Sequence, residues 1–517
     1  MSQDGLSRRG FLLRAGAGAA ASAMGGAFFA QPAAARSAVV KTSPSVFGRI
    51  FPDLPPFAAP TEAVKAQLNA LGAKGGPLDA QDDLAAGPVL LITDPDKRTN
   101  NQDNQTHTAG ATFVGQFIDH DTTFDTRSTL GTPTEPSSSP NARTPSLDLD
   151  SVYGAGPTSS AQLYDPADPA KLRIASGGVF EDLARDENNR AIIPDPRNDE
   201  NLVINGLQCA FILFHNRAVD EARENGAKHW RDAFEQARRL TTWHYHWIVL
   251  HEFLPQFVGQ RLVDDILRRG GRFYRPRRGE GFMPVEFQGA AYRFGHSMVR
   301  PSYRANLKGD EGEPFFGMIF DPAGDEGSDP VDLRGGVRAP RRFIGWQTFF
   351  DFGDGEMKPN KTIDAKISTP LFNLPLGAIA SRDQPQVLSQ RTLLRHLTWS
   401  LPSGQSVARA MDEAALSSAD LAELEPYGFQ ASTPLWYYCL KEAEVIADGL
   451  RLGPVGGRIV AEVLIGLIRS DPTSFLAQKP KWKPTVNAAG SGFGMTDFLT
   501  YARVDPATRH SEHPERA

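Results

Sequence analysis

Between residues 198 and 270 apolar side chains recur three and four positions apart, and that rhythm restricts the fold more than any other feature of the chain. Leu207, Phe211, Phe214 and Ala218 would line one face of a helix. Residues 232–252 carry a second helical pattern. A third stripe, Ile459, Val460, Val463, Leu464, Leu467 and Ile468, stops before Asp471-Pro472, because proline cannot continue a helix. The connections read differently. Residues 127–146 place Pro133, Pro136, Pro140 and Pro145 among Ser and Thr, which predicts a long loop. From Phe316 to Gly355, short apolar runs alternate with Gly, Pro and Asp, as in loops or small strands. No internal repeat is present. The expectation is a mostly α protein with long loops and little β. Residues 36–104 would wrap the surface, 105–504 form one large helical domain, and 505–517 a polar, frayed tail.

Composition narrows the function classes. A length of 517 residues alone suggests about three domains, but no low-complexity linker divides the chain. The two cysteines, Cys209 and Cys439, rule out a disulfide scaffold and Cys-rich zinc modules. Cys209 lies in an apolar helical stretch and reads as a buried thiol. A net charge of −6 argues against general nucleic-acid binding. Phe outnumbers Tyr 31 to 10, which points to a large dry interior.

Residues 1–35 read as an address. Ser7-Arg8-Arg9-Gly10-Phe11-Leu12-Leu13 fits a twin-arginine pattern, and a weakly apolar Gly/Ala stretch leads to Ala33-Ala34-Ala35. The expectation is export through the twin-arginine pathway to the periplasm or beyond. Past this leader, the best spanning candidate, Val460–Ile468, is far shorter than the ~20 residues a bilayer requires, so no transmembrane segment is expected.

Three segments could carry chemistry. In Gly115-Gln116-Phe117-Ile118-Asp119-His120-Asp121, a helix would set Gln116 and His120 on one face, with Asp119 and Asp121 flanking it. A histidine beside an amide can move protons at neutral pH. Asp195-Pro196-Arg197-Asn198-Asp199-Glu200-Asn201 precedes the Leu207 helix. Capping by Asn198 or Asp199 would explain the acids but not Arg197, whose charge opposes a helix start. In Tyr292-Arg293-Phe294-Gly295-His296-Ser297, glycine permits close approach beside a histidine that alone reads as structural, though an accessible neutral imidazole in an apolar wall could also ligate a haem iron. His244, His246 and His251 are interleaved with Trp243, Tyr245 and Trp247 and read as packing. The arginines at 268, 269, 272, 275, 277 and 278 read as a solvated loop.

In order and residue type, the three segments resemble the animal-type haem peroxidases of the peroxidase–cyclooxygenase superfamily. Supporting stretches are Phe214-His215-Asn216-Arg217, Leu401-Pro402-Ser403-Gly404-Gln405 and Leu452-Gly453-Pro454-Val455-Gly456-Gly457-Arg458, the last two similar to a bacterial branch. The resemblance covers most of residues 100–500. It implies haem b, with His120 as the distal base, Gln116 bonded to distal water or halide, and Arg197 stabilising charge as the O–O bond breaks. His296 would ligate the iron and Arg293 pair with a propionate. Asp119 and Glu200 match acids ester-linked to haem. Thr392, in Arg391-Thr392-Leu393-Leu394-Arg395, stands where the family usually places an asparagine against the proximal histidine, and its hydroxyl can accept the imidazole N–H.

The same resemblance implies a Ca2+ site built from Asp121, Asp148 and Asp150 with Thr144 and Ser146, ahead of Ser151-Val152-Tyr153-Gly154. Where some members carry a haem-bonded methionine, this chain has Asn201, so the sulfonium link and chloride oxidation are not implied. The expected activity is peroxidase: H2O2 oxidises a small donor, a phenol, halide or thiocyanate, through a ferryl oxidant, as in a response to oxidative stress. Two alternatives stand beside it. A haem fatty-acid oxygenase of the same superfamily would need a tyrosine three residues before the proximal histidine. That position is Arg293, and Tyr292 should point elsewhere. A haem-binding protein without turnover would not need Gln116, His120, Arg197 and His296 together. Oligomeric state is not legible.

Overall fold

The longest helix, Leu202–Glu224, begins where the apolar rhythm begins, and its start is set by Asn201. The Asn201 carboxamide oxygen accepts the N–H groups of Val203 (3.1 Å) and Ile204 (3.0 Å), satisfying two donors the helix cannot pair itself. The cap is therefore Asn201 rather than Asn198 or Asp199, because those two residues lie in a separate turn, Pro196–Asp199, with its own cap in Asp195. Leu202–Glu224 packs along Trp230–Ile248 and against Gly110–Thr122. Aromatic rings lock these helices together. Phe117 stacks on Phe211 (centroids 4.2 Å, planes 10° apart), Tyr245 meets Phe211 edge-on, and Phe214 stacks on Phe498. Such pairs add about 0.5–1.5 kcal/mol each beyond the area they bury.

The computed structural model describes residues 45–324, 327–337, 339–379, 384–486 and 492–512. The export-signal reading of residues 1–35 lies outside the described residues. The described chain belongs to one unit, Pro44–Ala517, with a continuous apolar core. Mostly helical architecture is what the sequence predicts. The strands are few and short. Ser45–Gly48 pairs antiparallel with Pro140–Asn141 and parallel with Met283–Pro284. Asp103–Thr108 pairs with Pro359–Lys361. Ser302–Asp310 and Glu313–Met318 form a hairpin whose two-residue turn, Glu311-Gly312, has φ of 53° and 96°, as a tight mirror-image turn requires.

Three expectations change. Residues 36–104 do more than wrap the surface: Phe47, Leu68, Leu71 and Leu78 are buried in the common core, and Glu62–Leu71 packs on Leu388–Thr398. The tail is not frayed at its start, since Pro506–Glu512 is helical and Arg509 is buried over the Phe180 ring at 4.5 Å. Among the described residues, Leu202–Glu224 is also long and apolar enough by composition to cross a membrane, which the reading centred on Val460–Ile468 missed. In this fold most of its apolar surface is packed inside the protein.

The two glycine-bearing stretches near the C-terminus are packing devices. A Cβ at Gly404 would fall 1.9 Å from Tyr438 Cγ, and one at Gly453 would fall 2.3 Å from Glu442 Cγ. Only glycine lets Gly404–Met411 and Pro454–Ser470 approach Leu435–Ala447 this closely. Cys209 and Cys439 are both buried and free. The histidine-rich stretch is packing as read: His244 contacts the Leu240 carbonyl, His246 contacts the Leu147 carbonyl, and His251 lies on the Trp247 ring.

Candidate active site

Helix Gly110–Thr122 brings Gln116, Asp119 and His120 to one wall of a cavity of about 250 Å³. Arg197, Glu200 and Asn201 reach it from the turn before the longest helix. Tyr292, Arg293 and His296 line it from the segment 291–298. Asp121 faces the other way and is fully buried. The cavity thus collects Gln116, Asp119, His120, Arg197, Glu200, Arg293 and His296. Thr392 sits one hydrogen bond behind His296.

His120 is neutral in this setting. Burial, then the nearby Arg197 charge, drives its pKa down to about 4. Its Nδ1 lies 2.7 Å from Asn198 Oδ1, and its Nε2 lies 3.9 Å from Glu200 Oε1. Glu200 is also neutral at pH 7, because burial raises its carboxyl to about 8 and the Arg197 charge only partly opposes this. The Gln116 amide donates to Glu200 Oε1 and its carbonyl accepts from Asn201 Nδ2 at 3.3 Å.

Arg197 explains itself through Asp195. Its Nε and Nη2 donate to the two Asp195 oxygens (3.0 and 2.7 Å), a bidentate pair that neutralises a cation at a helix start. Nη2 also donates to the Thr123 carbonyl (2.6 Å) and the guanidinium lies over the Phe124 ring at 4.2 Å. Asp195 resists burial and stays ionised, its pKa held at about 2 chiefly by the charge and hydrogen bonds of Arg197, with Arg143 adding to it. Burial pushes Asp119 toward neutrality too, but Arg293 and Arg197 outweigh it and hold the carboxyl below its usual range.

Also on the lining, burial and then Arg293 depress His296 to a pKa of about 3. Its Nδ1 lies 3.2 Å from Thr392 Oγ1. The Thr392 hydroxyl donates to the Leu388 carbonyl (2.9 Å), so toward His296 it must accept. This leaves the proton on Nδ1 and the Nε2 lone pair free. Trp436 closes the wall, edge-on to His296 with centroids 6.1 Å apart. Arg293 donates from Nε to the Gln288 carbonyl (2.7 Å), and burial lowers its pKa to about 10.

These residues fit a porphyrin. The donor set is a neutral imidazole with a free Nε2 on a cavity lined by both apolar side chains and arginines. A Cβ added at Gly295, beside His296, would meet no protein atom within 4 Å, so the floor there is open. The buried Gln288 Oε1, also on the lining, has no hydrogen-bond partner. Tyr292 departs from expectation: it lines the cavity, with its hydroxyl donating to the Gly115 carbonyl at 3.1 Å and its ring stacked on Phe287.

Behind the helix, Asp121, Asp148 and Asp150 present oxygens within 4.8 Å of one another. Leu147 and Leu149 hold left-handed φ (55° and 61°), each costing about 1–2 kcal/mol, and burying both side chains offsets this. The alternation turns Asp148 and Asp150 toward Asp121. Asp121 accepts from Leu149 N (3.2 Å) and Ser151 Oγ (2.9 Å). Thr144 donates its N–H to Asp150 at 2.9 Å, and Ser146 donates its own to the Thr144 carbonyl. Burial and mutual repulsion raise Asp121 to about 7 and Asp148 well above the usual range, a strain that a divalent cation would relieve.

Asn198, Gln208 and Asp195 support the site but were not singled out as part of it. A signal existed for Gln208, a polar residue on the apolar face of the Leu207 helix that the core must satisfy.

Comparison with known proteins points to one family. Residues 125–323 match the animal haem peroxidase family, which spans Arg197, Glu200, Arg293 and His296 but not Gln116, His120 or Thr392. The human protein called probable oxidoreductase PXDNL is 29% identical over 230 residues, 39% of this chain and 15% of its own. Chorion peroxidase of Aedes aegypti is 28% identical over 175 residues, 31% of this chain and 22% of its own. The chain thus spans less than a quarter of either relative. In fold it is similar to peroxidase A of Dictyostelium discoideum (TM-score 0.57, 14% identity, 86% of this chain and 93% of that one). It is also similar to a fatty acid alpha-dioxygenase of Arabidopsis thaliana (TM-score 0.55, 15% identity, 91% and 78%).

Proposed function

From the premise that this chain carries an animal haem peroxidase domain, we propose that it uses H2O2 to oxidise small electron donors, phenols, halides or thiocyanate, at a haem b held by His296. The carrying observation is that two neutral histidines line one cavity, each with its Nδ1 hydrogen-bonded and its Nε2 left free. When bound, the haem iron supplies the electron transfer that splits peroxide, so that peroxide, two donor electrons and two protons give two waters. The chain handles the protons. His120 Nε2 takes the proton from one peroxide oxygen and returns it to the departing one. Arg197, pre-aligned by Asp195 and Thr123, meets the negative charge that develops between these steps without reorganising. Gln116 orients water beside His120. Thr392 fixes the His296 ring, and Arg293 offers its charge to a propionate.

Covalent ester links at Asp119 and Glu200 belong to this reading. Both acids line the cavity, and each link would replace a C–H bond at the haem edge by C–O, a two-electron oxidation for which H2O2 would be the oxidant, giving two waters. Asp119 would exchange its pairing with Arg293 and Arg197 for the bond. Ca2+ would bind Asp121, Asp148 and Asp150 with oxygens of Thr144 and Ser146, tying helix Gly110–Thr122 to the loop at 144–151. The Arg8-Arg9 leader motif supports export through the twin-arginine pathway to the periplasm or outside.

The placement of Tyr292 on the lining keeps a second reading, fatty-acid oxygenation, in view. Arg293, not a tyrosine, stands three residues before His296, and the Tyr292 hydroxyl is engaged with a backbone carbonyl, so peroxidase is favoured. The test is an absorption spectrum of the purified chain titrated with haem and then with H2O2. A Soret band that changes on peroxide addition is expected, lost in His296→Ala and retained without the fast peroxide response in His120→Ala. Absence of any Soret band refutes the proposal.

A further inference from the structure

We propose that a single backbone carbonyl, that of Ser151, sets the tautomer of His120 through two intervening amides, Gln208 and Asn198. The four groups form a continuous chain. Gln208 Nε2 lies 3.4 Å from the Ser151 carbonyl oxygen, Asn198 Nδ2 lies 2.8 Å from Gln208 Oε1, and Asn198 Oδ1 lies 2.7 Å from His120 Nδ1. Asn198 and Gln208 are fully buried, so water cannot substitute for either partner.

The direction of this chain follows from chemistry alone. A carboxamide can turn over, presenting oxygen or NH2 to either side. A backbone carbonyl can only accept. Gln208 must therefore turn its NH2 to Ser151 and its oxygen to Asn198. Asn198 must then turn its NH2 to Gln208 and its oxygen to His120. That oxygen accepts, so the imidazole proton sits on Nδ1. Nε2 keeps its lone pair toward the cavity. Reversing any one link would place two donors or two acceptors face to face inside the protein, which is costly. Ser151 is itself fixed, its hydroxyl donating to Asp121 Oδ1 at 2.9 Å. Asn198 and Gln208 are positioning residues. They touch neither cavity nor substrate, yet they decide which ring nitrogen can take a proton. Their catalytic meaning rests on His120 being the base proposed above, while the tautomer itself does not.

Nitrogen-15 NMR separates protonated from bare ring nitrogens directly. The full chain, labelled at its 11 histidines, would be loaded with zinc protoporphyrin, a diamagnetic stand-in for haem, and His120 assigned by its loss in His120→Ala. The wild-type chain should show His120 as a single form, protonated at Nδ1. Gln208→Leu frees the Asn198 amide to turn over and should convert this to a mixture or to the Nε2-protonated form. The double variant Asn198→Asp/Gln208→Leu, whose carboxylate can only accept, should restore protonated Nδ1. A Gln208→Leu chain that still shows only the Nδ1 form overturns the proposal. Should that variant not fold, Asn198→Ala removes the acceptor itself, and an unchanged single tautomer there is equally decisive against it. A chain that takes up no porphyrin counts against the haem reading, and its His120 tautomer is still read on the same sample.

Discussion

Replacing Glu200 by glutamine should remove a pH dependence of folding whose size follows from the site. The Glu200 carboxyl is buried among Arg197, Asp195 and Asp119, and its pKa rises from 4.5 to about 8. A raised carboxyl binds its proton in the folded chain while the unfolded chain has already released it. Its contribution to stability is therefore fully present below pH 4.5 and is lost as pH climbs toward 8. At about 1.4 kcal/mol per pH unit, the loss between pH 6.5 and 8.5 comes to about 2 kcal/mol, since titration in the folded state levels the curve near 8. This window avoids the histidines. Burial lowers His107, His120, His215, His244 and His396 to about 4, so they affect stability only below about pH 6.5, and in the opposite sense. Glutamine preserves the shape and the acceptor for Gln116 but cannot ionise. Urea unfolding of the chain expressed without added haem, at pH 6.5 and 8.5, gives the comparison. The stability of Glu200→Gln relative to wild type should improve by about 2 kcal/mol between the two pH values. A difference that stays constant within about 0.5 kcal/mol would show that Glu200 ionises normally and that the electrostatic account of the cavity is wrong.

Thr392→Val, a near-isosteric change, leaves the His296 N–H without its acceptor and should lower stability by about 1–3 kcal/mol while speeding porphyrin dissociation; stopped-flow transfer to an acceptor globin would read the second effect, and an unchanged rate would exclude the hydrogen bond at 3.2 Å as a support. Adding Ca2+ to chelator-treated protein should raise its thermal midpoint, and Asp148→Asn should abolish most of that rise; equal shifts in both chains would place the cation elsewhere. Phe117→Ala deletes one partner of the stack on Phe211 and should cost about 3–5 kcal/mol in chemical denaturation, together with weaker haem uptake because Gln116 and His120 share its helix; a cost below about 1 kcal/mol would mean the helix is not anchored by that ring.

The helices at 202–224 and 454–470 were legible because each buries one face, and burial writes a period into the sequence. His120 and His296 were legible only in company, since each histidine alone reads as a satisfied core residue. What escaped was the support. Asn198 looked like a helix cap because Asn, Asp and Ser before an apolar run usually are, and the true cap three residues on, Asn201, has the same chemistry. Gln208 pairs with a residue ten positions away and a carbonyl 57 away, contacts that no periodicity encodes. Tyr292 was expected to point away because it is one residue off the oxygenase position, but residues 291–294 form a 3-10 turn and its ring reaches the cavity lining. Membrane-like composition in Leu202–Glu224 reflects a helix surrounded by protein on nearly all sides.

The walls of the cavity are joined by contacts between residues 78 and 96 positions apart in the chain, His120 with Asn198 and His296 with Thr392. A nascent chain emerging from the ribosome therefore has an incomplete porphyrin site until residue 392 is out, although most of the lining, through Phe320, has long been synthesised. Loop closure over such spans is slow and yields little until the last partner arrives. Cofactor capture must then be among the final events of maturation, and a chain cut anywhere between 296 and 392, which also lacks the core helices Leu435–Ala447 and Pro454–Ser470, should bind no haem.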